Sequence, residues 1–169
     1  MNAREVAGGV GSVAGAVGKG LAAGLAGTAA MTAAQHVEMM LSGREASDAP
    51  AEAVEGVLGV EPRGEDSEER LSQLTHWAYG TGWGAFRGLL GAAGIEGPRA
   101  TLLHFGAVWG TALVMLPRLD LAPPLKEWGA AQIAKDGALH AIYALAVGQA
   151  YDRMNGEPFE RSSDGGAGR

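Results

Sequence analysis

Histidines, carboxylates and tyrosines recur near the ends of several apolar segments, and they are the residues that could do chemistry. If the apolar segments are helices that cross a membrane in alternating directions, several of these residues could meet at one rim of the helix bundle. They are His36, Glu38, His76, Tyr79, Asp136, His140 and Tyr143. Neutral imidazoles with a carboxylate suit zinc, iron or another divalent metal, and buried ionisable groups can relay protons. The alternative is that these side chains lie at an interface or hydrogen-bond a neighbouring helix.

Enzyme signatures are missing from the sequence. The chain has no cysteine, no HExxH and no GxSxG motif, and the GxG at residues 80–82 follows no β-strand pattern. His36 and Glu38 are two residues apart and therefore lie on different sides of a helix. We expect no catalytic activity and no cofactor. A divalent metal, or a haem held by two histidines at matching depth, is the alternative.

The charges are concentrated in one connection. Between residues 42 and 73 there are nine acids against three arginines, which accounts for the whole net charge of −6. The rest of the chain is neutral and has no basic patch that could bind a phosphate backbone. Nucleic-acid binding is therefore not expected.

Four mostly apolar segments define the organisation. They cover residues 6–41, 71–90, 100–116 and 137–154, with Pro117 expected to stop the third. Seventeen to twenty helical residues span roughly 26–30 Å, close to the hydrocarbon thickness of a bilayer. The prediction is one membrane domain, residues 1–154, with an acidic connection at 42–70 that includes a short surface helix at 47–59. The polar tail, residues 155–169, is predicted to be disordered.

Glycine is unusually frequent, at 28 of 169 residues. In water, a glycine inside a helix costs about 1 kcal/mol relative to alanine, whereas membrane helices use small residues for close approach. Because residues four apart share one helix face, the spacing predicts helix-packing stripes. The glycines assigned to them are Gly20, Gly24, Gly80, Gly84, Gly88, Gly106, Gly110 and Gly148. These stripes would hold the bundle together or pair it with a second copy.

The pattern H-x-x-Y-x-x-x-x-G occurs twice, 64 residues apart. It begins at His76 and again at His140, which hints at two related helix pairs. Arg87 is expected to reach the opposite rim, and His104 to lie on that side too.

A family resemblance covers about half the chain. Its elements are His76 with nearby aromatic residues, PRLDLAPP at residues 117–124, Trp128, and DGALHAIY at residues 136–143, followed by Asp152 and Arg153. In order and spacing these resemble the small bacterial inner-membrane proteins of the YagU type, a family of unknown function. The resemblance implies a multi-pass protein of the bacterial cytoplasmic (inner) membrane and assigns no catalytic residue.

The sequence thus predicts an all-α, four-helix transmembrane bundle with a short amphipathic surface helix in the first connection. The expected function is a structural or accessory membrane component, with the lipid bilayer and a second copy as partners. A small-solute, ion or proton pathway through the histidines and a soluble helical binding protein are the alternatives.

Overall fold

The structure is a computed structural model that describes residues 3–43, 54, 56, 59 and 64–156. Within that part of the chain there are four long α-helices and no strand: α1 Ala3–Ser42, α2 Glu65–Ala92, α3 Gly97–Arg118 and α4 Ala130–Met154. A 3₁₀ turn at Leu125–Glu127 precedes α4. The all-α prediction is confirmed. The predicted surface helix at 47–59 falls mostly outside the described residues, as does the tail from 157 onward.

The helix ends follow local chemistry. Gly43 directly follows α1, and Gly94 and Gly156 are the second residues after the ends of α2 and α4. All three have φ between 67° and 75°, the left-handed conformation that commonly closes a helix. Pro98 lies in the first turn of α3, where a missing N–H costs nothing. The expectation that Pro117 stops the third helix after Leu116 was wrong by two residues. The helix continues through Pro117 to Arg118, and Asp120 at φ 57° then closes it through a bond from Leu121 N to Leu116 O.

Neighbouring helices are antiparallel. Thr32 of α1 meets His76 of α2, while Ala16 lies against Gly88 at the other end. α1 lies between α2 and α4, and its contacts with α2 are the most extensive in the bundle. α3 packs mainly on α4. The arrangement is an up-down-up-down bundle in which α1 packs on α2 and α4, and α3 packs on α4 and, less extensively, on α2.

The first turns of α1 extend beyond the bundle. A Cβ added at Gly8, Gly9, Gly11 or Gly15 would meet no atom within 4 Å. With 40 residues, α1 is about 60 Å long, roughly twice the thickness of a bilayer's hydrocarbon core.

Large apolar side chains lie on the outside of the bundle. Among the leucines that the structure describes, Leu90 alone is buried. The interior instead contains small or aromatic residues such as Ala23, Val147 and Tyr143, together with buried polar groups. By length and composition, two helices are apolar enough to cross a membrane, at residues 8–42 and 97–118.

Candidate functional site: the polar interior of the bundle

A buried ion pair joins α2 to α4. The Arg87 guanidinium donates a hydrogen bond from Nη2 to Asp152 Oδ1, and its Cζ lies 4.2 Å from the centroid of the Tyr151 ring. Arg87 is 0% exposed and Asp152 3% exposed. Gly91 makes room for the Tyr151 hydroxyl, because a Cβ there would overlap it. The expectation that Arg87 reaches the rim was wrong, since its charge is neutralised inside the bundle by Asp152.

His104 of α3 lies against the same part of α2. Its Nε2 is 3.1 Å from the carbonyl oxygen of Trp83, and the residue is 0% exposed. A carbonyl oxygen can only accept, so Nε2 carries the proton and Nδ1 has the lone pair. The ring also lies 5.6 Å, between centroids, from the ring of Tyr143. His104 is therefore in the interior of the bundle, and its location toward the side opposite His36 and His76 stays a prediction.

Tyr143 connects α4 to α2. Its hydroxyl donates to the carbonyl oxygen of Gly80 at 2.5 Å, and its side chain is buried. Gly27 of α1 provides the space, because a Cβ there would lie 3.0 Å from two carbons of the Tyr143 ring. Tyr79, the equivalent residue in the repeated pattern, is 41% exposed. The two copies of the pattern therefore have different surroundings.

The other predicted rim residues are held by hydrogen bonds to single neighbours, two of them to Thr32. Thr32 Oγ1 and His76 Nε2 share a hydrogen bond of 3.0 Å, and His36 Nδ1 donates to the carbonyl of Thr32 at 2.8 Å. Lys135 binds Glu38 at 3.0 Å. The bond between Thr32 and His76 joins α1 to α2, the bond between Lys135 and Glu38 joins α1 to α4, and the bond between His36 and Thr32 lies within α1.

Asp136 takes part in a further contact, between α3 and α4. It accepts a hydrogen bond of 2.7 Å from the indole of Trp109, which joins α3 to α4. His140 Nδ1 donates to the carbonyl of Asp136 at 2.9 Å and lies 3.5 Å from its carboxylate. Over the described residues, no three histidines, aspartates or glutamates are placed to hold a metal ion. The structure thus brings Asp136 and His140 together, and it places the other predicted residues in separate contacts rather than in one cluster.

The predicted glycine stripe between α1 and α2 is a close backbone contact. A Cβ at Gly84 would lie 2.6 Å from Gly24 Cα, and one at Gly20 would lie 2.8 Å from Gly88 N. Gly80 instead faces the side chain of Thr28, and Gly148 of α4 faces the side chain of Thr101 of α3. Such contacts allow interhelical van der Waals packing that larger residues prevent.

Gly106 and Gly110 have a different environment. A Cβ at either position would meet nothing within 4 Å, so they do not pack inside the bundle. They line an open groove on the outer face of α3 together with Val114 and Arg118. As packing positions within one copy these two assignments were wrong, because the side of α3 on which both glycines lie faces no other helix of the chain. Their other predicted role, pairing with a second copy, stays a prediction.

The buried ion pair and His104 were not among the predicted site residues. A signal was present, since Arg87 and Asp152 are opposite charges within otherwise apolar stretches. Burying one such charge without a partner costs more than burying the two as a pair. Their partnership was not visible because 65 positions separate them. Comparison with protein-family models, curated proteins and solved structures finds no match for this chain.

Proposed function

We propose that this chain is a multi-pass integral membrane protein that serves as a structural or accessory component of the bacterial cytoplasmic membrane. The observation that carries the proposal is the distribution of polarity. Large apolar side chains such as Leu25, Leu102 and Leu145 are exposed, whereas Arg87, His104 and Asp152 are buried. In water this arrangement would leave the hydrophobic effect largely unused. In a bilayer, apolar side chains contact lipid and polar ones hydrogen-bond internally.

The helix lengths support four crossings. α2, α3 and α4 have 28, 22 and 25 residues, or about 33–42 Å each, and the hydrocarbon core needs about 30 Å. The first turns of α2 carry the acidic run from Glu65 to Glu69, which would lie in the aqueous phase. The YagU-type resemblance of residues 76–153 supports the same location.

A structural role agrees with how the interior is filled. The α1 and α2 backbones touch along the glycine stripe, and the hydroxyl of Tyr143 and the imidazole of His104 bond backbone carbonyls of α2. Groups held this way fix the register of the helices. The open groove along Gly106 and Gly110 is the face that would accept a helix of a second copy.

A small-solute, ion or proton pathway is the second candidate. It is favoured by the presence of ionisable residues, His104 and the Arg87–Asp152 pair, inside the bundle, because such residues in membrane proteins often mark transport routes. Proteoliposomes carrying a pH gradient and a trapped pH dye would test it. If the unmodified protein dissipates the gradient and the His104→Phe variant does not, a pathway is favoured over a structural role.

The leading proposal is tested by membrane fractionation and by labelling. Isolated membranes washed with alkaline carbonate should retain the protein. Because the chain has no cysteine, single cysteines can be introduced directly at Ala93, Leu103 and Lys126. Four crossings place positions 93 and 126 on opposite sides, so a membrane-impermeant maleimide should label one in intact cells and the other only after permeabilisation.

The cysteine at position 103 is the control within the bilayer. Leu103 is 51% exposed in the isolated chain, and it should resist the reagent in both preparations if lipid covers it. Release of the protein by carbonate, or labelling of position 103 as fast as of positions 93 and 126, would contradict the proposal. Release with retained helicity would favour a soluble helical binding protein.

A further inference from the structure

An open groove runs along the outer face of α3. It has a volume of about 670 Å³, and its lining is mostly apolar. Gly106 and Gly110 belong to this lining, on the side of the helix opposite the buried side chains of His104 and Val108. A Cβ at either glycine would meet nothing within 4 Å. In a membrane the groove would therefore be open to lipid or to another protein helix.

One end of the groove carries a positive charge. Arg118 is the last residue of α3, lines the groove and is exposed. Within the described part of the chain it takes part in no ion pair and no hydrogen bond between side chains. Residues 97–118 form one of the two stretches that are apolar enough to cross a membrane. Arg118 is thus at the end of such a span, where headgroups begin.

The length of the groove matches the depth of one lipid leaflet. Gly106 and Arg118, at its two ends, are twelve residues apart in one helix, which corresponds to about 18 Å along the axis. Half of a bilayer's hydrocarbon core is about 15 Å. With Arg118 at the headgroups, the groove reaches to about the middle of the bilayer.

We propose that this groove binds an anionic phospholipid, an inference that rests on the proposed membrane location. The lipid phosphate pairs with the Arg118 guanidinium, and one acyl chain lies along Gly106 and Gly110. A guanidinium donates several N–H groups to phosphate oxygens in a fixed geometry. An acyl chain on the glycines gains dispersion contacts with the exposed helix surface. An anionic headgroup is favoured because a zwitterionic one brings an ammonium group that Arg118 repels.

A helix of a second copy would compete for the same face. Two copies that share one orientation in the membrane, and that pair symmetrically through α3, would bring both Arg118 side chains to the same end of their interface. Like charges oppose that pairing, whereas a lipid phosphate neutralises the charge. Charge complementarity therefore favours the lipid as the occupant of the groove.

The charge at Arg118 is tested by native mass spectrometry of the full chain, released from detergent with added phosphatidylglycerol or phosphatidylcholine. Phosphatidylglycerol should bind more tightly than phosphatidylcholine. Arg118→Gln should weaken phosphatidylglycerol binding about fivefold, the factor expected for one basic residue beside anionic lipid. Arg99→Gln is the matched control, because Arg99 is an exposed arginine at the other end of α3, and its binding should be unchanged.

The groove itself is tested by filling it. Gly110→Leu places a side chain in the groove without displacing any atom, since a Cβ there would meet nothing within 4 Å. Gly82→Leu adds the same side chain at an equally open position of α2. The variant at position 110 should lose the bound phosphatidylglycerol, and the variant at position 82 should retain it.

Two results would overturn the lipid site. One is equal phosphatidylglycerol binding by the unmodified protein and the variants Arg118→Gln and Gly110→Leu. The other is a dimer that Gly110→Leu abolishes while lipid binding is unchanged, because the occupant would then be a second copy. Either result, with the protein retained in carbonate-washed membranes, would contradict the lipid site alone. Release of the protein by carbonate would contradict the proposed membrane location.

Discussion

Replacement of Gly84 by alanine tests whether the α1–α2 contact depends on backbone approach. The added Cβ would lie 2.6 Å from Gly24 Cα and 2.7 Å from Gly24 N, where ordinary contact begins at 3.4 Å. The atoms it meets belong to a backbone and cannot move aside by changing rotamer. The two helices must therefore separate by about 1 Å over the contact, and overpacking of this kind typically costs about 1–3 kcal/mol.

Gly82 provides the matched control. It lies in the same helix two residues earlier, and a Cβ there would meet nothing within 4 Å. Both substitutions gain the same helix propensity, about 1 kcal/mol in water, so the difference between the two variants isolates the overpacking cost. For a chain of this length, a difference of about 1–3 kcal/mol corresponds to about 2–12 °C in Tm.

The assay is thermal unfolding of the full chain, followed by circular dichroism in the detergent or buffer that keeps it folded. Gly82→Ala should unfold at or above the temperature of the unmodified protein, and Gly84→Ala several degrees below Gly82→Ala. Equal stability of the two alanine variants would refute the reasoning, because it would mean that α1 and α2 do not approach closely at Gly84.

Further predictions concern the buried polar groups, with the same unfolding assay as the measurement. Arg87→Met should destabilise the fold by about 3–5 kcal/mol, because the buried Asp152 loses the cation that Arg87 provides. The double variant Arg87→Met/Asp152→Leu should recover most of that loss. A double variant no more stable than Arg87→Met would contradict a buried ion pair. Tyr143→Phe removes the hydrogen bond to Gly80 and should cost about 0.6–1.5 kcal/mol. Its counterpart Tyr79→Phe should cost almost nothing, since Tyr79 is 41% exposed, and equal losses in the two variants would argue against the assigned contact.

The sequence determined the elements and the faces that they present. Alanine, leucine and glycine in helical periodicity, with no alternating strand pattern, are sufficient to predict four helices, and their observed bounds lie close to the predicted ones. The larger differences are at the starts of α2 and α4, where the structure adds six and seven residues. Polar residues such as Glu65 and Gln132 extend these helices beyond their apolar parts. Hydropathy locates the apolar part of a helix but not its polar first turns.

The tertiary structure alone decided what each face meets. Gly80 with Gly84 and Gly106 with Gly110 have identical spacing, yet the first pair touches α1 and the second faces open space. Spacing fixes which residues share a helix face, because that follows from 3.6 residues per turn. It contains no information about which helix lies opposite, and the same limit hid the Arg87–Asp152 pair. Partners in a bundle are chosen by how four helices fill space together, and that is a property of the folded chain.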